Sequence, residues 1–304
     1  MKKFLINIAI LGVVICFVWY ALVFPFFHYY EERAFNNDDL APFSDINYAS
    51  NARNIDADLV LIANSRGGAY NLPTLNEELK MKCSGLIIAG YPFDYQYNLM
   101  FKPYMEHNKA PKYIIQDVGP WAFFDYVLDK YTIEMLPYID RPDFAFLKDK
   151  CPEKTKYSDL KIVRYAGKAI GVYSELKKMN RFTSGNWVTV KSYRKSNLLD
   201  KMPLENNPEI VDLFSKYLDE CRNLGIKVVL VFSPIHMKDG GARFDLKGFE
   251  GILRQVTEGK DVTLLDYHDM FGSDTLYFND SMHLNSKGSM IFTKELSHCL
   301  DSIL

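Results

Sequence analysis

Three residues in this 304-residue chain could together perform nucleophilic chemistry: Ser65, Asp280 and His283. Ser65 lies in Ala63-Asn-Ser-Arg-Gly67, directly after a short apolar run, where a tight turn can expose its hydroxyl. Gly67 and Gly68 follow it, and glycines at such a turn leave room for an incoming ester. Asp280 and His283 stand three residues apart in Asn279-Asp-Ser-Met-His283, close enough for the carboxylate to orient the imidazole. Serine attack needs this combination: a base to take the hydroxyl proton and an anion to support the imidazolium that forms. Each half has a plain structural reading as well. Serine after a strand is a common turn former or helix cap, and Asp-x-x-His occurs by chance. The conjunction is the stronger signal, because an alternating α/β chain can bring both halves to one edge of a sheet.

The surrounding sequence supplies that alternation. Apolar runs at Asp58–Ala63, Gly85–Ala89, Lys112–Gln116, Ile226–Phe232 and Val262–Asp266 are bounded by Gly, Pro or polar residues. They suit strands buried on both faces of a parallel sheet. Ile210, Leu213, Phe214, Tyr217, Leu218 and Cys221 recur at helical spacing from Pro208, and Gly225 stops that helix before the fourth strand. A last helix is expected after Asn285 or Ser286, either of which can cap it. The expected fold is therefore α/β, a three-layer doubly wound parallel sheet. Sites in such sheets gather beyond the carboxyl ends of the strands. Residues from about 120 to 206 interrupt the pattern with an aromatic stretch and then a more basic one, read as a helical insertion.

Ahead of this domain, residues 1–27 read as a transmembrane anchor and 28–54 as a juxtamembrane connector, leaving 55–304 for the α/β domain. Lys2 and Lys3 precede an uncharged run from Phe4 to Phe27. As a helix that run would be roughly 36 Å long, enough for a hydrocarbon core of about 30 Å. Trp19, Tyr20, Tyr29 and Tyr30 sit where an interfacial aromatic belt would fall, and the lysines favour a cytoplasmic amino terminus. A cleaved signal peptide is the alternative, though its apolar core would be shorter, with small residues at the cleavage site. The domain is then expected outside the cytoplasm.

Composition narrows the function. Hydrophobic residues make up 48% and charged residues 24%, which suits a globular body. Lys and Arg number 36 against 38 Asp and Glu, so no basic footprint for nucleic acid is present. The five cysteines lack a Cys-x-x-Cys pair, which argues against a zinc site or a thioredoxin-like centre. Cys83, Cys151, Cys221 and Cys299 allow three disulfide pairings, and free thiols are equally open. His28, His107 and His298 lack metal-like spacing, so no metal and no organic cofactor is expected.

The two chemical blocks together resemble the SGNH hydrolase superfamily, also called GDSL-like esterases. Ala63-Asn-Ser-Arg66 matches the nucleophile block loosely, lacking the Gly-Asp-Ser form. Asp280-Ser-Met-His-Leu-Asn-Ser-Lys-Gly288 matches the last block closely. The resemblance implies Ser65 as nucleophile, His283 as general base and acid, and Asp280 as its orienting partner. It also implies an oxyanion hole from the N–H groups of Ser65 and Gly90. At the third block the chain reads Gln116-Asp-Val-Gly-Pro-Trp121, with no asparagine to donate. An ionised Asp117 would repel an oxyanion.

The anchor and the Gly-Pro-Trp element are similar to membrane-anchored envelope members, such as the D-alanine transfer protein of teichoic acid modification and enzymes that acylate or deacylate envelope polysaccharides. The resemblance spans roughly residues 55–300. It implies an esterase or O-acyltransferase acting on an ester-bearing glycan or small acyl ester, and a possible membrane acyltransferase partner. The missing asparagine motivates a second expectation, a catalytically silent binding or assembly protein. Three further polar residues have weaker readings. His268 beside Asp266 and Asp269 forms a rival Asp/His pair or is a polar strand-end residue. His236 is a pocket-rim or partnerless loop residue. Arg66 is a contact for an anionic substrate or a surface or structural ion pair.

Overall fold

The computed structural model describes residues 2–23, 25, 55, 57–88, 90–125, 139, 144–156, 193 and 205–304. The chain divides into two compact units, one of Met1–Asn47 with Leu128–Ser184, the other of Tyr48–Val127 with Gly185–Leu304. In the first, an α-helix spans Lys2–Val18 and continues as a π-helical turn over Trp19–Val23. The stretch Lys2–Ala21 has a mean hydropathy of 2.4, long and apolar enough to cross a membrane. Short helices at Leu147–Lys150 and Pro152–Thr155 belong to the same unit. The expected connector at 28–54 and most of the expected insertion lie outside the described residues.

The second unit is built on five parallel strands: β1 (Leu59–Ala63), β2 (Cys83–Ile87), β3 (Tyr113–Asp117), β4 (Lys227–Phe232) and β5 (Val262–Asp266). They are ordered β2-β1-β3-β4-β5. All five expected strands are present, and the α/β doubly wound expectation holds. The second begins two residues earlier than expected, because its pairing with β1 starts at Leu59 opposite Cys83. Burial on both faces holds for β1 and, apart from their first residues, for β3 and β4. The edge strands β2 and β5 are mostly half-buried, and Leu264 of β5 is exposed. An edge strand has a neighbour on one side only, so its flank stays near water.

Side chains alternate across the strands and divide the core in two. Leu59, Leu61, Ala63, Ile115, Val229 and Val231 pack in one cluster with Leu75 and Leu79 of the helix Leu72–Leu79. Phe292, Leu296 and Leu300 of the carboxyl-terminal helix Ser286–Asp301 complete it. Val60, Ile62, Ile114, Val228 and Leu230 alternate to the other face, with Phe232, whose ring lies 5.2 Å from Phe249 of the helix Leu246–Thr257. The aromatic layer there continues through Phe93 and Phe214 at 4.7 Å and Phe101 and Tyr217 at 4.9 Å. Helices thus cover both faces.

The helix Pro208–Asn223 has a defined start and the stop expected at Gly225. Asn207 caps Pro208–Asn223 by accepting from the Glu209 N–H at 2.8 Å. Gly225, at φ +71°, takes the left-handed turn that a side chain disfavours and directs the chain into β4. Phe124 and Asn206, both of this unit, are joined by an antiparallel bridge.

Candidate active site

The sheet changes direction at β1, since β2 lies on one side of it and β3, β4 and β5 on the other. The carboxyl end of β1 is therefore the switch point where a crevice forms in such sheets. Ser65 sits there, at the start of a 3-10 turn, Ser65–Ala69. Asn64 caps the turn, its side-chain oxygen accepting from the Arg66 N–H at 3.0 Å while its carbonyl accepts from Gly67 N–H at 2.9 Å. The turn holds Ser65 half-buried.

The second block forms a tight loop between β5 and the carboxyl-terminal helix. Phe278 and Leu284 are bridged antiparallel, and the His283 carbonyl accepts from Asn279 N–H at 2.8 Å. Within that loop one Asp280 oxygen accepts from the N–H groups of Met282 at 2.8 Å and His283 at 3.0 Å. His283 Nδ1 lies 2.9 and 3.0 Å from the two Asp280 oxygens, and its Nε2 lies 2.9 Å from Ser65 Oγ. With the proton on Nδ1, the ring donates to Asp280 and presents a lone pair to the serine hydroxyl. Burial works to raise the Asp280 pKa, but the hydrogen bond and charge of His283 and the two backbone N–H groups hold it below the usual value. The carboxylate therefore stays ionised. The three residues picked out by spacing form one continuous chain.

The helix that follows locks this loop in place. Asn285 caps it, accepting from Gly288 N–H at 3.0 Å, and a Cβ at Gly288 would lie 2.4 Å from the Tyr277 carbonyl. Backbone cannot yield as a side-chain tip can. Gly288→Ala is expected to cost about 1–3 kcal/mol in urea unfolding; a loss under about 0.5 kcal/mol would contradict this reading.

Arg66 makes the structural ion pair that was one of its sequence readings. Its side chain is almost wholly buried, which excludes a surface ion pair, although the residue also lines the cleft with Ser65 and His283. Nε donates to Ser233 Oγ at 3.1 Å, and Nη2 donates to the carbonyls of Ser233 at 2.7 Å and Pro234 at 2.6 Å. Nη1 donates to the Met282 carbonyl, next to His283. The guanidinium lies 3.9 Å from Asp117 and 4.7 Å from the Trp121 ring centre. Burial lowers the Arg66 pKa and raises that of Asp117, and each charge opposes the shift of the other. Asp117 also accepts from Tyr70 OH at 2.8 Å and from Ser233 Oγ. Its carboxylate is thus committed to a buried network at the end of β3.

The Gly-Pro-Trp element also has a packing basis. A Cβ on Gly119 would lie 2.1 Å from the Trp121 ring. Gly67 is similar: a Cβ there would meet Ile87 at 2.6 Å, so this glycine admits a neighbouring strand rather than an ester. Gly68 does line the cleft beside Ser65, with Ala69, Met282 and Leu284. Gly90, at φ +81°, lies just past the end of β2, the strand paired with β1. The N–H groups of Ser65 and Gly90 find no acceptor among the described residues.

His236 is neither a rim residue nor partnerless. It is buried, with Nε2 donating to the Ser273 carbonyl at 3.0 Å and Nδ1 accepting from Asp239 N–H at 3.3 Å. Its own N–H donates to the Ser281 carbonyl at 3.2 Å, supporting the Asp280–His283 loop from behind. His268 pairs with Asp266 at 2.6 Å and stacks on Phe232, at the end of β5, an edge of the sheet three places from β1. It does not join Ser65. All five cysteines are free thiols. No group of three or more His, Cys, Asp or Glu placed to hold a metal occurs among the described residues.

A doubly wound α/β domain with a hydrogen-bonded Ser–His–Asp chain at its switch point is the class that fold and site define. No protein-family model matches the chain, and no curated protein matches it in sequence. Solved structures with related folds include the acetyl xylan esterase AlAXEase, at 12% identity and TM-score 0.43 over 80% of this chain and 98% of that one. A candidate platelet activating factor from Streptococcus pneumoniae aligns at 10% identity and TM-score 0.45, over 89% and 92%. A candidate acylhydrolase from Bacteroides fragilis aligns at 12% and 0.37, over 80% and 87%. At these scores the likenesses carry no argument about reaction or substrate.

Proposed function

We propose that the chain is a membrane-anchored, extracytoplasmic serine esterase or O-acyltransferase acting on ester groups of an envelope polysaccharide or related glycan. The observation that carries this reading is the unbroken contact from Ser65 Oγ through His283 to Asp280, at 2.9 Å on each side of the ring. Ser65 attacks the ester carbonyl while His283 Nε2 takes its proton, and Asp280 supports the imidazolium. The N–H groups of Ser65 and Gly90, which find no acceptor among the described residues, are the donors for the oxyanion. The tetrahedral intermediate collapses, His283 returns the proton to the leaving alcohol, and an acyl-Ser65 ester remains. Water or a sugar hydroxyl, deprotonated by His283, then attacks the acyl carbon and frees Ser65.

The apolar helix Lys2–Ala21 supports the membrane attachment, with Lys2 and Lys3 on the cytoplasmic side. Attachment at the outer face favours lipid-linked or wall-associated glycans, and a membrane acyltransferase is a candidate donor partner.

The full chain in detergent is expected to hydrolyse 4-nitrophenyl acetate. Adding an envelope oligosaccharide separates the two activities: an acylated sugar in the mass spectrum marks the transferase, free acetate alone the hydrolase. Absence of both products would favour the silent binding protein.

A further inference from the structure

We propose that Arg66 is a positioning residue that sets the distance between the Ser65 hydroxyl and the His283 imidazole; this rests on the serine esterase reading above. Ser65 and His283 come from segments 218 positions apart, so something must fix their separation. Arg66 is the neighbour of Ser65, and Met282 is the neighbour of His283. The guanidinium donates to the Met282 carbonyl and, through its other nitrogens, to Ser233 and Pro234 beyond the end of β4. One planar group therefore ties the nucleophile turn, the base loop and the sheet together. Its five donors sit in a rigid fork, which a lysine ammonium does not reproduce. The chemistry needs this rigidity, because a displacement of about 1 Å can cost on the order of 100-fold in rate.

Asp117 supplies the countercharge that permits a guanidinium to be buried here. It also explains the residue found where the resemblance leads one to expect a donor asparagine. The position serves the Arg66 clamp, and the oxyanion is left to backbone N–H groups.

The test uses the full chain in detergent with 4-nitrophenyl acetate, and rates are taken per folded molecule. Arg66→Lys retains the charge opposite Asp117 but loses the fork. Its kcat is expected to fall about 100-fold with KM within about 3-fold. Leu253→Ala, in the core on the other side of the sheet, measures what lost stability alone does and should leave kcat within about 2-fold. Should Arg66→Lys not fold, the double variant Arg66→Met with Asp117→Asn removes both charges together, so no buried charge is stranded. It too should lose about 100-fold in kcat. A kcat within about 5-fold of wild type in whichever of the two variants folds would overturn the proposal while leaving the esterase reading intact. No turnover by the wild type would overturn both.

Discussion

Ser65→Ala is expected to lose at least about 10,000-fold in ester turnover while the fold is retained. The hydroxyl makes one described contact, to His283, and its removal leaves no nucleophile at the cleft. The backbone donors remain, so a residual rate above the uncatalysed reaction persists. Ser65 is half-buried and lines the cleft rather than the core, so the melting temperature should stay within a few degrees. Retained turnover would assign the chemistry to another residue.

Asp280→Asn should be nearly as severe, about 10,000-fold in kcat, for a different reason. An asparagine oxygen still accepts from the N–H groups of Met282 and His283, so the loop survives. Its amide nitrogen, however, donates toward His283 Nδ1. The ring must then carry its proton on Nε2, where it faces Ser65 and cannot accept from it. KM should change little. The same substitution tests stability against pH. Native Asp280 titrates below its unfolded value, so its contribution to stability is complete above about pH 4 and is lost as pH falls through the lower folded value. Asp280→Asn should therefore weaken the acid-side loss of stability, and an unchanged acid limb would contradict the assigned environment.

Ser65, Asp280 and His283 were legible only in conjunction: a strand-end serine and a three-residue Asp–His interval are each common, but together in an α/β pattern they match the blocks of a known superfamily. The strands were legible because each apolar run is short and ends in turn residues. The structural ion-pair reading of Arg66 was open in the sequence, but its partners were not legible. Those partners, Ser233, Pro234 and Met282, come from β4 and the last loop, and only the sheet order brings them to the end of β1. His236 was misread because a histidine after Ser-Pro carries no sign that Ser273 and Asp239 close around it. Gly67 was credited with admitting substrate, whereas its constraint comes from Ile87 on the neighbouring strand. The missing asparagine was visible as an absence, and its physical counterpart, an aspartate paired with a buried arginine, became apparent only in three dimensions.

Incubation of the full chain with a fluorophosphonate, followed by proteolysis and mass spectrometry, tests the activated serine most directly. A single phosphonyl adduct on the peptide containing Ser65, absent from His283→Ala, is the predicted result. An adduct on a different serine, or equal labelling in His283→Ala, would contradict it.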